Sequence, residues 1–96
     1  MGKELGIEKK LKEVVENDCK GLCIKLLPWV FTGLPDRMCL FPGGIVIFVE
    51  TKSPGKDLSP RQKWVKNKFV SLGFAYFKLD CKEDISKIID QVNLIR

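Results

Sequence analysis

Histidine is absent from all 96 residues. That absence removes the commonest general base and the commonest zinc ligand together, so any hydrolysis must run on carboxylates, lysine or a metal. A 20-residue apolar run is also missing, and "MGKELGIEKK" carries no leader pattern. A transmembrane helix and a secretory signal are therefore not expected, and residues 1–96 read as one small cytoplasmic domain with no membrane partner. The cysteines number four, and only Cys19 and Cys23 have a ligand-like C-x3-C spacing. No second close pair completes a zinc site, so Cys23, Cys39 and Cys81 are expected to be small buried hydrophobes in a reducing compartment.

Basic residues dominate what is present. Seventeen Lys and Arg against twelve Asp and Glu give a net charge of +5. Such a balance suits a polyanionic partner such as DNA or RNA, although solubility alone also calls for surface charge. A chain this short buries only roughly 60–65% of its unfolded surface, so pairing into a dimer would add stability.

Periodicity places an amphipathic helix over Leu5 to Asn17, with Ile7, Leu11, Val14 and Val15 on one face. "GLCIKLL" (Gly21 to Leu27) reads as a strand interrupted by Lys25, followed by a loop from Pro28 to Pro35. Strands at Arg37 to Phe41 and Ile45 to Val49 flank "PGG", whose glycines allow the positive φ of a tight hairpin. Ser59 is a good N-cap for a helix over Pro60 to Leu72, with Gly73 at its exit. A strand at 74–79 and a helix from Asp84 to Val92 complete the order αβββαβα. The fold class is α/β, a mixed four-stranded sheet flanked by helices, with the fourth strand parallel to the hairpin after its helical crossover. Trp64, Val65 and Phe69 give the middle helix enough apolar surface for either core packing or an interface.

A turn of three residues, Pro42 to Gly44, pairs Phe41 with Ile45, Cys39 with Ile47 and, by the same register, Asp36 with Glu50. Opposed residues point to one side with Cβ atoms about 4.5–5.5 Å apart, and Lys52, two residues on, shares that side. Two opposed carboxylates destabilise a sheet unless something positive lies between them. A hard divalent cation suits that position, and metal activation of water is the route to a nucleophile that remains without histidine. A turn one residue longer would send the two acids to opposite faces.

These residues carry a resemblance. "GLPDR", then about a dozen residues, then "FVETKSPG" and "LSPRQ" together resemble the virus-type replication-repair nuclease (VRR-NUC) domain, in its stand-alone phage form, a branch of the PD-(D/E)XK superfamily. The similarity runs from Ile7 to Leu79. It implies a restriction-endonuclease-like sheet and hydrolysis of DNA phosphodiester bonds dependent on Mg²⁺ or Mn²⁺, in the cytoplasm of a bacterial host if the chain is phage-derived. Asp36 and Glu50 would be metal ligands, with the Thr51 backbone carbonyl a third, and Lys52 would orient or help deprotonate the attacking water. Glu8 in "IEKKL" matches the family's helix glutamate, and Glu4 competes for that role. Gln62 matches the family's glutamine, while "SPRQ" is equally a capping box. Lys25 matches a basic position and would touch phosphate, or else snorkel out of the sheet. Arg37 would contact DNA or a neighbouring acid. The phage-type form further implies a homodimer acting on branched DNA, four-way (Holliday) junctions above all. A nicking, flap-cleaving or general endonuclease is the alternative, and a non-catalytic nucleic-acid-binding module is a more distant one.

Overall fold

A computed structural model of the protein describes residues 3–95. Helix α1 (Lys3–Glu13) runs on as a π-helical turn over Val14–Asp18. Strands β1 (Leu22–Lys25), β2 (Arg37–Phe41) and β3 (Ile45–Thr51) follow. After them come α2 (Pro60–Ser71), β4 (Ala75–Leu79), a 3-10 turn at Lys82–Asp84 and α3 (Ile85–Ile95). The sheet order is β1-β2-β3-β4, antiparallel except for β3 and β4, which run parallel across the α2 crossover. The expected element order and mixed sheet are both present.

Four strand boundaries differ from expectation: β1 and β4 begin one residue later, at Leu22 and Ala75, β1 ends two residues earlier and β3 two residues later. Strand β1 ends at Lys25 rather than Leu27, and the Leu26 amide makes one further bond in the same register, donating to the Asp36 carbonyl at 2.8 Å and closing the loop between them. Strand β3 continues past Val49 because the parallel ladder carries on through Glu50 opposite Lys78 and Thr51 opposite Leu79. The Lys52 amide then donates to Leu79 O at 2.9 Å, so Glu50, Thr51 and Lys52 sit on backbone fixed by the sheet. The last helix begins one residue later than expected and reaches Ile95.

The hairpin has the three-residue turn read from "PGG". Gly43 and Gly44 both take positive φ, 94° and 77°, and the register pairs Phe41 with Ile45 and Arg37 with Val49. Alternation then divides the sheet residues between two faces. Cys23, Cys39, Phe41, Ile45, Ile47 and Val49 pack with Ile7 and Leu11 of α1, Val15 of the π-helical turn, and Ile85, Ile88 and Val92 of α3 in the main core. On the other face, Phe48 meets Phe69 of α2 with ring centroids 4.7 Å apart, and Phe74 and Tyr76 extend that aromatic cluster. Helix α2 thus covers β3 and β4, while Leu22 and Ile24 on the β1 side stay exposed.

The suggested apolar surface on α2 is reduced by this packing. Val65 is fully buried and Phe69 is committed to its ring cluster, which leaves Trp64 as the exposed member. Cys23 and Cys39 are buried and directly opposed, with sulfurs 3.8 Å apart. Cys81 departs from expectation: it is only half-buried, because it opens the 3-10 turn at the surface beside Asp84. Among the described residues, no helix is long and apolar enough to cross a membrane.

Candidate active site

The Leu26-to-Asp36 loop, the end of β3 and the first turn of α2 meet at one end of the sheet. Arg61 ties the loop to α2: its Nε donates to Thr32 O at 2.9 Å and its guanidinium lies over the rings of Phe31 and Trp64. Gly33 lets the chain come this close, since a Cβ there would stand 2.8 Å from Arg61 Cγ and 2.9 Å from Val65 Cγ2. The clamped loop delivers Pro35 and Asp36 to the end of β3.

Asp36 Oδ2 accepts from the Thr51 amide at 2.9 Å and from the Thr51 hydroxyl at 2.6 Å. Both bonds orient the carboxylate and keep it beside Glu50, its opposite number by continuation of the β2–β3 register. Glu50 is 4% exposed. Its Oε2 lies 3.4 Å from Lys52 Nζ and accepts from Gln62 Nε2 at 3.1 Å. Its Oε1 is buried and has no hydrogen-bond partner among the described residues. Burial, and then the charge of Asp36, push the Glu50 carboxyl up to about 7 against the smaller opposing pull of Lys52.

Gln62 caps α2 and also reaches Glu50. Its side-chain Oε1 accepts from the Ser59 amide at 2.9 Å and its own amide donates to Ser59 Oγ at 3.2 Å, completing a capping box. The remaining Nε2 faces Glu50. The α2 cap and the Glu50 rotamer are therefore fixed by one side chain.

Glu8, Lys25 and Arg37 form a second charged group on the α1 side. Lys25 and Arg37 are directly opposed on β1 and β2. Glu8 Oε1 receives both cations, Lys25 Nζ at 2.6 Å and Arg37 Nε at 2.8 Å. Burial alone would raise the Glu8 carboxyl, but these hydrogen bonds and charges outweigh it and hold the group below the ordinary glutamate range. Arg37 Nη1 also donates to Cys23 O at 3.1 Å. Of the alternatives open for Arg37, contact with a neighbouring acid is the one formed here, and Lys25 shares that acid.

A cavity of about 220 Å³ joins the two groups, lined by Glu4, Glu8, Lys25, Asp36, Glu50 and Thr51. Both candidate helix glutamates thus border it, Glu8 buried and Glu4 half-buried. The oxygen-only acids and the unpartnered buried Glu50 Oε1 suit a hard divalent cation. Among the described residues, ligand atoms of three acidic or sulfur side chains all come within 4.8 Å of one another only at Asp80, Cys81 and Asp84. Glu8, Asp36 and Glu50 do not close up in that way, with Glu8 turned to its two cations.

One residue near the site was not singled out from the sequence. The Tyr76 hydroxyl is buried with no hydrogen-bond partner among the described residues, and burial together with the charges of Glu50 and Asp36 raises its pKa. A single tyrosine at an inward position of the apolar "FAYFKL" was the available signal, because a buried phenol ordinarily finds a partner.

No protein-family model matches the chain. Over 91 residues it is 35% identical to "Putative nuclease p44" of Acyrthosiphon pisum secondary endosymbiont phage 1, spanning 95% of this chain and 96% of that protein. A solved structure described as "VRR_NUC domain" matches it with a TM-score of 0.86 at 28% identity, over 94% of this chain and 97% of the other.

Proposed function

The chain belongs to the VRR-NUC family of nucleases and has the family's PD-(D/E)XK-type fold, and from that premise we propose that it is a metal-dependent DNA endonuclease. Its reaction is phosphodiester hydrolysis, on four-way junctions and as a homodimer, in the cytoplasm of a bacterial host. The observation that carries the proposal is Glu50: a buried carboxylate beside a second one, with one oxygen unpartnered and the other held by Lys52 and Gln62.

Asp36, Glu50 and the Thr51 backbone carbonyl would hold Mg²⁺ or Mn²⁺, with Glu8 on the cavity wall. Such an ion supplies Lewis-acid stabilisation of phosphate charge and acidifies water. The chain's own groups do the positioning. Thr51 fixes Asp36 by two hydrogen bonds, and Gln62 fixes Glu50 from the rigid start of α2. Lys52, 19% exposed, keeps its ammonium beside Glu50, where it can donate to an attacking water or to a phosphate oxygen as negative charge grows.

The homodimer draws support from the apolar surface that α2 leaves open. Leu22 and Ile24 on β1, Trp29 and Val30 at the loop tip, and Trp64 on α2 are all exposed, Trp29 by 78%. Exposed apolar area of this kind marks interaction surfaces.

The test incubates the protein with plasmid, linear duplex, flap and four-way junction in Mg²⁺ or Mn²⁺, beside Glu50→Gln. Junction cutting that needs the metal and Glu50 is expected. Equal cutting of every substrate overturns the junction preference, and no cutting of any overturns the enzyme. Light scattering should give a dimer mass that Ile24→Glu reduces to a monomer; a wild-type monomer overturns the homodimer.

A further inference from the structure

Lys25 and Arg37 hold the same Glu8 oxygen but are not equivalent. The Arg37 side chain is 15% exposed and has a second anchor at the Cys23 carbonyl. Lys25 is 48% exposed, and its ammonium pairs with Glu8 among the described residues. An arginine fork held at two points does not leave cheaply, whereas a lysine is a point charge on a flexible stem with water on one side. Lys25 lines the cleft where the carboxylates gather, whereas Arg37 is not in its lining and is joined to it through Glu8, and a DNA phosphate entering that cleft is an anion like Glu8.

We propose that Lys25 is an exchangeable clamp: in the free protein it neutralises Glu8, and when DNA enters it leaves Glu8 for a backbone phosphate. Arg37 stays in place and keeps Glu8 oriented, as a positioning residue. This rests on the DNA-cleaving function proposed above. The exchange keeps the charge count balanced, because Lys25 trades one anion for another while Glu8 retains Arg37. It also links the two ligands of the cleft. Once Lys25 has moved, Glu8 faces the cavity with one counter-charge instead of two, so the acidic cleft attracts a cation more strongly with DNA bound than without it. By linkage, a bound cation strengthens DNA binding in return.

The test measures binding of a short labelled duplex by fluorescence anisotropy in EDTA across a salt series, which needs neither metal nor turnover. A lysine that contacts phosphate contributes about 0.9 to the slope of log affinity against log salt. Lys25→Met should lower that slope by about 0.9 and weaken binding about tenfold near 0.1 M salt, with Lys25→Arg restoring both. Arg37→Met should leave the slope unchanged. Glu8→Gln, which removes the competing anion, should tighten binding several-fold in the wild-type background and scarcely at all with Lys25→Met. Circular dichroism checks that each variant is folded. If Glu8→Gln proves unfolded, the Lys25 slope decides alone.

An unchanged slope in Lys25→Met overturns the clamp, and so does an equal gain from Glu8→Gln in both backgrounds. Failure of the underlying function looks different: neither binding nor metal-dependent cutting of any DNA by the wild type, which removes both proposals together.

Discussion

Two like-charge pairs lie next to each other across the strands, and the protein resolves them differently. Lys25 opposes Arg37 on β1 and β2, and Glu8 from α1 lies between them within 2.8 Å of each. Asp36 opposes Glu50 across the hairpin, and Lys52 and Gln62 reach one Glu50 oxygen while leaving Oε1 unpartnered. The two buried glutamates report the contrast: Glu8 is held below its ordinary range, and Glu50 is pushed up to about 7. The positive pair is neutralised from within the chain. The negative pair is only half relieved, an arrangement that costs stability and makes sense when a cation from outside supplies the rest.

The largest effect is expected at the half-relieved pair. Glu50→Gln should reduce metal-dependent cleavage by about 10³-fold or more, the scale of losing one electrostatic stabiliser of the transition state. The amide can still accept from Gln62 and no longer repels Asp36, so the metal-free variant should melt at the same temperature as wild type or higher. A large loss of both activity and stability would mean that Glu50 holds the fold instead, and the contrast between the pairs would collapse.

The same kind of removal at the satisfied pair should act the other way. Glu8→Leu leaves two opposed cations, one of them nearly buried, and should cost about 3–5 kcal/mol. Thermal unfolding would register that as a fall of roughly 15–25 °C for a domain of this size. Replacing Lys25 and Arg37 by methionine in the same chain should recover most of it, because no uncompensated charge then remains. A cost below about 1 kcal/mol for Glu8→Leu would show that water, not Glu8, neutralises the pair.

Titration separates the pairs without mutation. Glu50 has a folded pKa near 7 against an ordinary 4.5, so the folded state binds its proton more tightly than the unfolded state. Stability of the metal-free protein should therefore fall as pH rises from about 4.5 through about 7, by up to about 3 kcal/mol. Glu8 has the opposite sign: its depressed pKa contributes stability above 4.5 that is lost as pH falls through its folded value. Urea unfolding across pH 3 to 8 should show a maximum on the acid side of neutrality. Glu50→Gln should flatten the neutral limb alone, and Mg²⁺ or Mn²⁺ should restore wild-type stability at pH 8. Stability that rises steadily to pH 8 without metal would contradict the strained state of Glu50.

The two pairs also differed in how far the sequence disclosed them. Asp36, Glu50 and Lys52 were legible because a three-residue turn fixes the register of a hairpin, and register fixes which side chains share a face. The opposition of Lys25 to Arg37 was not. Eleven residues from Leu26 to Asp36 separate the strands, and no turn type sets a register across such a loop. Their meeting on Glu8 further required knowing which face α1 covers, a long-range outcome that helical periodicity does not contain. Val65 and Phe69 were ambiguous for a similar reason, since the rings that bury Phe69 come from β3, β4 and the turn before it.

The smallest expected effect tests the residue that joins local structure to the half-relieved pair. Gln62 closes the capping box through Oε1 and faces Glu50 through Nε2. Gln62→Glu keeps an acceptor for the Ser59 amide, and a carboxylate at that position suits a helix N-terminus, so the cap should survive. It removes the donor to Glu50 and adds a third negative charge beside Asp36 and Glu50, so cleavage should fall about tenfold or more. The metal-free protein should lose about 1 kcal/mol at pH 8 and almost nothing at pH 5, where Glu50 is protonated. Gln62→Ala removes both halves and should lose about 1 kcal/mol at either pH. Identical pH profiles for the two variants would mean that Gln62 caps α2 and nothing more, and that Glu50 is oriented by Lys52 and the sheet without it.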